Sequence, residues 1–232
     1  MGGIKVALEH RTSYTFDRLV EVHPPRRAAA PGPAFAHAHR AYSMTVEPAD
    51  HFVNWQQDAF GNFLARLVFP SRTRELTITV GLIADMKVIN PPFDFFIEDY
   101  AEQIGFEYPK ALAEDLKPYL RPVDEHGEGL GGPGGDLVQA WVSNFTIPRD
   151  TRTIDFLVAL NRAVNVDVGY SVRMEPGVQT PPDRTLQTGI GSCRDSAWLL
   201  VSILRQLGLA ARFVSGYLVQ LTSDVEALDG PS

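Results

Sequence analysis

The chain has 232 residues, of which 44% are hydrophobic and 21% are charged, and its formal net charge is -7. This composition is typical of a packed globular protein and excludes a disordered or fibrous one. The acidic balance, without a Lys/Arg run interleaved with aromatics, argues against a nucleic-acid partner. One cysteine cannot form an internal disulfide. Because the sequence shows neither a signal peptide nor an apolar run near the ~18 residues that span a bilayer, we expect a cytoplasmic protein without membrane association.

The first 90 residues show hydrophobic alternation with a period of two. In ELTITVGLIADMKVI (75–89), apolar residues occupy every even position from 76 to 88, which places one face of a strand against a core. DAFGN (58–62) carries turn residues between two further apolar segments and predicts a hairpin. These strands predict an antiparallel β-sandwich-like domain over residues 1–92.

After Pro91 and Pro92 the pattern becomes helical. Helices are predicted near 109–120 and 136–145, and a largely buried helix near 151–164. The six glycines from Gly127 to Gly135 predict a mobile loop. We therefore divide the rest of the chain into a helical connecting segment, 93–150, and a C-terminal domain, 151–232.

The only cysteine, Cys193, lies in GIGSCRDSAWLLVSILRQLGLAARFVSGYLVQL (189–221). The apolar spacing predicts a helix that faces a core, with Cys193 as its first residue and Gly208 as its stop. Ser192 is a good N-cap, and Asp195 three residues later can complete a capping box. ARFVSGYLVQL (211–221) is β-branched and aromatic and predicts a strand.

A thiol at a helix start can face unpaired backbone N–H groups and the positive end of the helix dipole, which stabilise a thiolate nucleophile. Gly189 and Gly191 would let the backbone turn sharply and approach a bound carbonyl. The other interpretation is that Cys193 is a small buried hydrophobe. Asp195 would then be only a helix cap and Arg194 a solvated residue, and Trp198 is expected to serve packing.

The segment GSCRDSAWLLVSILRQLGLAARFVSGYL resembles the nucleophile segment of the bacterial transglutaminase-like superfamily. LEHRTSYTFDR and NWQQDAFGNFLARLVFP resemble strands of the bacterial N-terminal domain that precedes such cores. The resemblance implies an α+β fold, an antiparallel β-sandwich-like domain followed by an incomplete papain-like or transglutaminase-like core. It also implies that Cys193 attacks an amide or peptide carbonyl to form a thioester. Substrate-binding or supporting residues would be Gly191, Ser192, Arg194, Asp195 and Tyr217.

In this superfamily a histidine and an aspartate follow the cysteine. Here all six histidines precede Cys193, and we assign Asp224 and Asp229 to solvent. We therefore expect the chain to end before the strands that carry the histidine and the aspartate, and to turn over substrate poorly. An open sheet edge near residues 210–221 would favour self-association.

Two further classes of protein stay open. One is a noncatalytic peptide-binding module that would use the FVNWQQDAF hairpin, and the other is a structural partner domain with an inert, buried thiol. For the enzyme, the expected partner is a peptide or protein amide substrate, and no metal or cofactor is expected because no ligand cluster accompanies the cysteine. The choice between hydrolysis and transamidation and the oligomeric state are left open.

Overall fold

The computed structural model describes residues 4–22, 29–30, 38–86, 97–121, 135–146, 148, 150–172, 180–217 and 219. The chain divides into two compact units, Met1–Phe95 and Phe96–Ser232. The division after residues 92 and 150 stays a prediction. So does the mobile loop at 127–135, of which only Gly135 lies within the described residues.

The first unit consists of β-strands, as the alternation predicts. They are β1 (Ile4–Val20), β2 (Ala29–Ala30), β3 (Ala38–Glu47), β4 (Phe52–Gln57), β5 (Phe63–Val68) and β6 (Thr73–Met86). All pairings are antiparallel, in two three-stranded sheets of order β1-β6-β3 and β2-β5-β4. The long β6 is central, so both of its edges are hydrogen-bonded.

The two sheets share a small apolar core, which makes the unit sandwich-like. Val46 on β3 and Leu76 on β6 pack with Leu67 on β5 and with Phe69 just after it. The hairpin predicted at 58–62 joins β4 to β5 with Trp55 opposite Ala65. Its turn is closed by Asp58, whose Oδ1 accepts hydrogen bonds from the backbone N–H groups of Phe60 (2.9 Å) and Asn62 (2.8 Å).

The second unit is mainly helical, which confirms the predicted α+β class. Its helices are α1 (Lys110–Asp115), α2 (Lys117–Leu120), α3 (Asp136–Asn144), α4 (Thr153–Asp167), α5 (Pro182–Thr188) and α6 (Cys193–Gln206). Two short strands, β7 (Gly169–Tyr170) and β8 (Ile190–Gly191), pair in parallel. Among the helices in the described ranges, none combines the length and apolar character that a membrane crossing requires.

The core of the second unit joins α3, α4 and α6. Leu160 on α4 and Leu199 and Ile203 on α6 are fully buried, and Val138 on α3 packs with them. Of the residues predicted to face the core from α6, Val201 is buried, whereas Ala197, Leu200, Leu204 and Leu207 are partly buried, the three leucines packing against this core. The helix is apolar on more than one face, so its spacing alone does not tell which face is most deeply buried.

The strand predicted over 211–221 is not formed in its described part, 211–217 and 219, which is irregular. The prediction was wrong there because a strand requires a hydrogen-bonded neighbour, and β propensity does not supply one. Individual hydrogen bonds hold the start of this segment instead. The Ala211 N–H donates to the Tyr119 carbonyl (3.0 Å), and the Ala210 N–H donates to the Tyr108 hydroxyl (3.0 Å).

Candidate active site around Cys193

Cys193 is the first residue of the 14-residue helix α6, and its side chain is exposed. Ser192 is the N-cap, with extended backbone angles of φ -75° and ψ 170°. Its Oγ accepts from the Asp195 N–H (3.4 Å), and the Ser192 N–H donates to the Asp195 carboxylate (3.0 Å). The predicted capping box is thus confirmed. The burial that an inert structural thiol requires is not observed.

Asp195 is buried, with 1% of its surface exposed. Its Oδ2 accepts hydrogen bonds from the Ser192 N–H (3.0 Å) and the Ser192 hydroxyl (2.8 Å). Its Oδ1 accepts from the Thr180 backbone N–H (3.0 Å), 15 residues earlier. Buried carboxylates are tolerated where donors satisfy them. Asp195 therefore joins the start of α6 to the segment before α5.

Two glycines shape the backbone before Cys193. Gly189 ends α5 with φ +62°, a left-handed conformation that glycine adopts without strain. Gly191 lies on β8, and its carbonyl accepts a hydrogen bond from the Ser171 N–H (3.0 Å). A Cβ at Gly191 would lie 3.1 Å from Thr185 Cγ2, a tight contact that a side chain could make only if its neighbours shifted. Glycine is therefore favoured at residue 189 by the backbone conformation and at residue 191 by the tight surroundings.

A cavity of about 450 Å³ lies along α6, beginning one turn after Cys193, which is not among its lining residues. Ala197, Leu200 and Leu204 line it, at positions four, seven and eleven residues after the cysteine. Its other lining residues are 209–214, Phe106, Tyr108, Thr153 and Leu157. The cavity is a mainly apolar groove, and the sequence spacing alone did not reveal that this stripe is open to solvent.

The other residues singled out in the sequence have different environments. Arg194 is exposed in the first turn of α6, and Tyr217 is 52% exposed in the irregular segment after it. Their assignment to a substrate site stays a prediction. Trp198 is 2% exposed and packs with Val201 and Ala211, as its expected packing role requires.

No histidine is present among the described residues of the second unit. His10 and His51 belong to the first unit and have local partners. The His10 ring lies 2.9 Å from Thr12 Oγ1, and the His51 Nδ1 lies 2.8 Å from the Pro48 carbonyl oxygen. Asp224 and Asp229 lie outside the described residues. In the parts of the chain that the structure describes, no three His, Cys, Asp or Glu side chains are grouped as metal ligands would be.

Sequence and structure comparisons find related proteins for both units. Residues 6–85 match the family described as bacterial transglutaminase-like N-terminal region, and residues 139–229 match the transglutaminase-like superfamily. Uncharacterized proteins of Mycobacterium tuberculosis and Mycobacterium bovis are 26% identical over 227 residues, covering 94% of this chain. A Cytophaga hutchinsonii structure described as a "Putative Cysteine Protease" aligns over 89% of this chain, with 16% identity and a TM-score of 0.57. At that identity the likeness concerns the fold.

The relatives are longer than this chain. The chain spans 67% of the length of the mycobacterial proteins and 65% of the length of the Cytophaga hutchinsonii chain.

Proposed function

We propose that this chain, which belongs to the transglutaminase-like superfamily, carries the nucleophile of a cysteine enzyme that attacks amide or peptide bonds. One observation carries the proposal: the exposed Cys193 is the first residue of a capped helix within the superfamily segment. A thiol in that position is accessible to a substrate and lies beside the first backbone N–H groups of the helix, as a nucleophile in acyl transfer requires.

In the proposed reaction the Cys193 thiolate adds to the carbonyl carbon of an amide. The resulting C–S bond replaces the C–N bond, and the nitrogen leaves, with a proton, as ammonia or an amine. Water then releases a carboxylic acid, or a second amine takes the acyl group to form a new amide. Either step regenerates the free Cys193 thiol and the proton that left with the first amine.

The helix start also supplies hydrogen-bond donors. The first N–H groups of an α-helix have no acceptor within the helix, and those of Cys193 and Arg194 are the first two in α6. They are donors of the kind that stabilises the oxyanion of a tetrahedral intermediate. In this proposal they assist the attack by the neighbouring sulfur.

Proton transfer needs a base, which we propose comes from sequence beyond residue 232 in the complete protein. The greater length of the related proteins supports this proposal. A histidine and an orienting carboxylate would complete the arrangement implied by the superfamily. The 1–232 chain alone would then be alkylated at Cys193 but would turn over substrate poorly.

The test compares the 1–232 chain with a longer product that continues to the natural stop codon. Iodoacetamide alkylation of Cys193 is followed from about pH 5 to about pH 9. Dimethylated casein serves as the substrate, because it offers peptide bonds and glutamine carboxamides while its lysines are blocked. New amino termini, released ammonia and incorporation of an added primary amine are measured separately, which distinguishes proteolysis, deamidation and transamidation.

The longer protein is expected to alkylate at neutral pH faster than a free thiol and to give one of the three products. Cys193→Ala should abolish both signals, whereas Ser196→Ala, on the next turn of α6, should preserve them. A longer protein that gives no product and reacts no faster than a free cysteine would overturn the proposal.

The result that overturns the enzyme would favour a noncatalytic binding module. The observation in favour of that alternative is the aromatic surface of the β4–β5 hairpin. Phe52 is 67% exposed, Trp55 51% and Phe60 44%. Aromatic side chains of this kind are common anchors in protein interfaces. Loss of peptide binding in Trp55→Ala, with Cys193→Ala unaffected, would identify the module.

A further inference from the structure

We propose that Asp195 is a positioning residue for Cys193, acting through the backbone that leads into α6. The inference rests on the proposed role of Cys193 as a nucleophile. It concerns the link that the Asp195 carboxylate makes between Ser192 and Thr180, which a helix cap does not require.

An ordinary capping box needs only reciprocal bonds between the N-cap residue and the third helical residue. Ser192 and Asp195 make both of these bonds. The bond from the Thr180 N–H to Asp195 Oδ1 (3.0 Å) is additional, and it reaches a segment 15 residues earlier. The carboxylate thus connects three backbone positions, which are the N-cap, the first turn of α6 and the residues before α5.

All three described contacts of the carboxylate come from donors, which are the N–H groups of Thr180 and Ser192 and the Ser192 hydroxyl. A carboxylate accepts with both oxygens, whereas an asparagine amide would turn an NH₂ group toward one of these donors. Burying the group at 1% exposure costs free energy that an exposed cap would not incur. A carboxylate therefore suits these donors better than an amide does.

The neighbouring Gly191 is held by a hydrogen bond to another segment. Its carbonyl accepts a hydrogen bond from the Ser171 N–H. The Asp195 Cβ lies 3.2 Å from the position that a Gly191 Cβ would occupy. Residues 191 and 192 are consequently held by different elements immediately before the nucleophile. Because the Cys193 side chain is exposed rather than packed, its direction depends on this backbone. Displacements of about 1 Å in a reacting group can cost about 100-fold in rate.

Asp183 provides a matched control in the same unit. Its carboxylate also accepts backbone N–H groups from a distant segment, those of Leu137 (3.3 Å) and Val138 (3.2 Å). Those bonds support the start of α3 and not that of α6. Both Asp195→Asn and Asp183→Asn therefore alter a carboxylate that accepts hydrogen bonds from a distant backbone segment. Only Asp195→Asn does so next to the nucleophile.

The experiment uses the longer protein with dimethylated casein and measures kcat and KM at a temperature where both variants remain folded. Asp195→Asn is expected to lower kcat about 100-fold, with KM little changed and Cys193 alkylation by iodoacetamide changed less than about threefold. Asp183→Asn is expected to keep the kcat of the starting protein. Amide exchange should increase at Thr180 and Ser192 in the first variant and at Leu137 and Val138 in the second.

Equal kcat losses in the two variants, or an unchanged kcat in Asp195→Asn with faster exchange at Thr180, would overturn the positioning role. If Asp195→Asn does not fold, Thr180→Pro, which removes the Thr180 N–H donor and leaves the Asp195 carboxylate in place, is used instead. A starting protein without turnover would instead reject the proposed function. The two failures are therefore distinguishable.

Discussion

Arg205 lies over the indole of Trp198, with its guanidinium carbon 5.9 Å from the ring centroid. Its Nε and Nη2 both donate to the Ala211 carbonyl, at 2.9 and 2.8 Å, and Nη1 donates to the Arg121 carbonyl at 3.1 Å. A planar guanidinium can make these bonds while stacking on an aromatic ring. Arg205 thus holds the irregular segment after α6, and with it one wall of the groove.

Arg205→Ala should lower the free energy of unfolding by about 1.5–3 kcal/mol, the range for hydrogen bonds to a charged group. Arg205→Lys keeps the charge but loses the planar fork, so it should recover less than half of that loss. Urea unfolding followed by helical circular dichroism measures both. Arg162, exposed on α4, is the control, and its alanine variant should stay within about 0.5 kcal/mol of the parent. An equal loss in Arg162→Ala would contradict the specific role of Arg205.

The effect of Arg205→Ala should not depend on pH near neutrality. Burial lowers the pKa of Arg205 because desolvation disfavours the charged guanidinium. A base whose pKa falls on folding is penalised at every pH below that pKa, and the penalty is relieved only as the pH rises through it. Arginine titrates far above neutral pH, so the stability difference measured at about pH 6 and at about pH 8 should be the same. A difference that changes between these values would mean that another titrating group takes part.

Leu160 and Leu157 on α4 provide a test of the core and of the open groove. Leu160 is fully buried and packs on α6, whereas Leu157 is 38% exposed and lines the groove. Leu160→Ala should cost about 2–5 kcal/mol in the free energy of unfolding because it leaves a cavity. Leu157→Ala should cost less than about 1 kcal/mol, since its surroundings are already in contact with water. Equal losses in urea unfolding would show that the groove is filled in solution.

The turn between β4 and β5 depends on Asp58. Besides the backbone bonds to Phe60 and Asn62, its Oδ2 accepts from Asn62 Nδ2 at 2.7 Å. Asp58→Ala should destabilise the hairpin by about 1–2 kcal/mol, which corresponds to about a 10-fold faster amide exchange across residues 52–57. Asp17→Ala, at an exposed position of β1, should leave that exchange unchanged. An unaltered rate in Asp58→Ala would mean that β-sheet pairing alone fixes the turn.

Local patterns were sufficient to predict the hairpin and the start of α6. Asp58 and Gly61 belong to a turn of five residues, and Ser192 and Asp195 form a helix cap within four residues. Such interactions depend on neighbouring residues only, so the sequence displays both partners at once. The same cap predicted that Cys193 is the first residue of the helix.

Longer-range features could not be predicted in this way. Nothing in the sequence links Thr180 to Asp195 or Arg121 to Arg205, because these contacts arise only when the segment before α5 and the end of α2 have packed on α6. Helix α5 was missed because its seven residues contain a proline and too few apolar positions to show a period. The strand expected after Gly208 was wrong in its described part because strand pairing is a property of two segments.

Gly189 and Gly191 should respond differently to substitution. At Gly191 an added Cβ would meet buried Thr185 at 3.1 Å and Val168 at 3.3 Å, so Gly191→Ala should cost about 1–3 kcal/mol through overpacking. At Gly189 the nearest atom is the Asp167 carbonyl oxygen at 3.6 Å, an ordinary contact. Its left-handed φ of +62° should make Gly189→Ala cost about 1 kcal/mol.

Asparagine distinguishes these two causes, because it tolerates the left-handed conformation better than alanine but is larger. Gly189→Asn should recover part of the stability lost in Gly189→Ala, whereas Gly191→Asn should be worse than Gly191→Ala. Urea unfolding of the four variants provides the measurement. If asparagine improves on alanine at residue 191 as well, backbone conformation rather than the packing of Thr185 and Val168 is what requires glycine before Cys193.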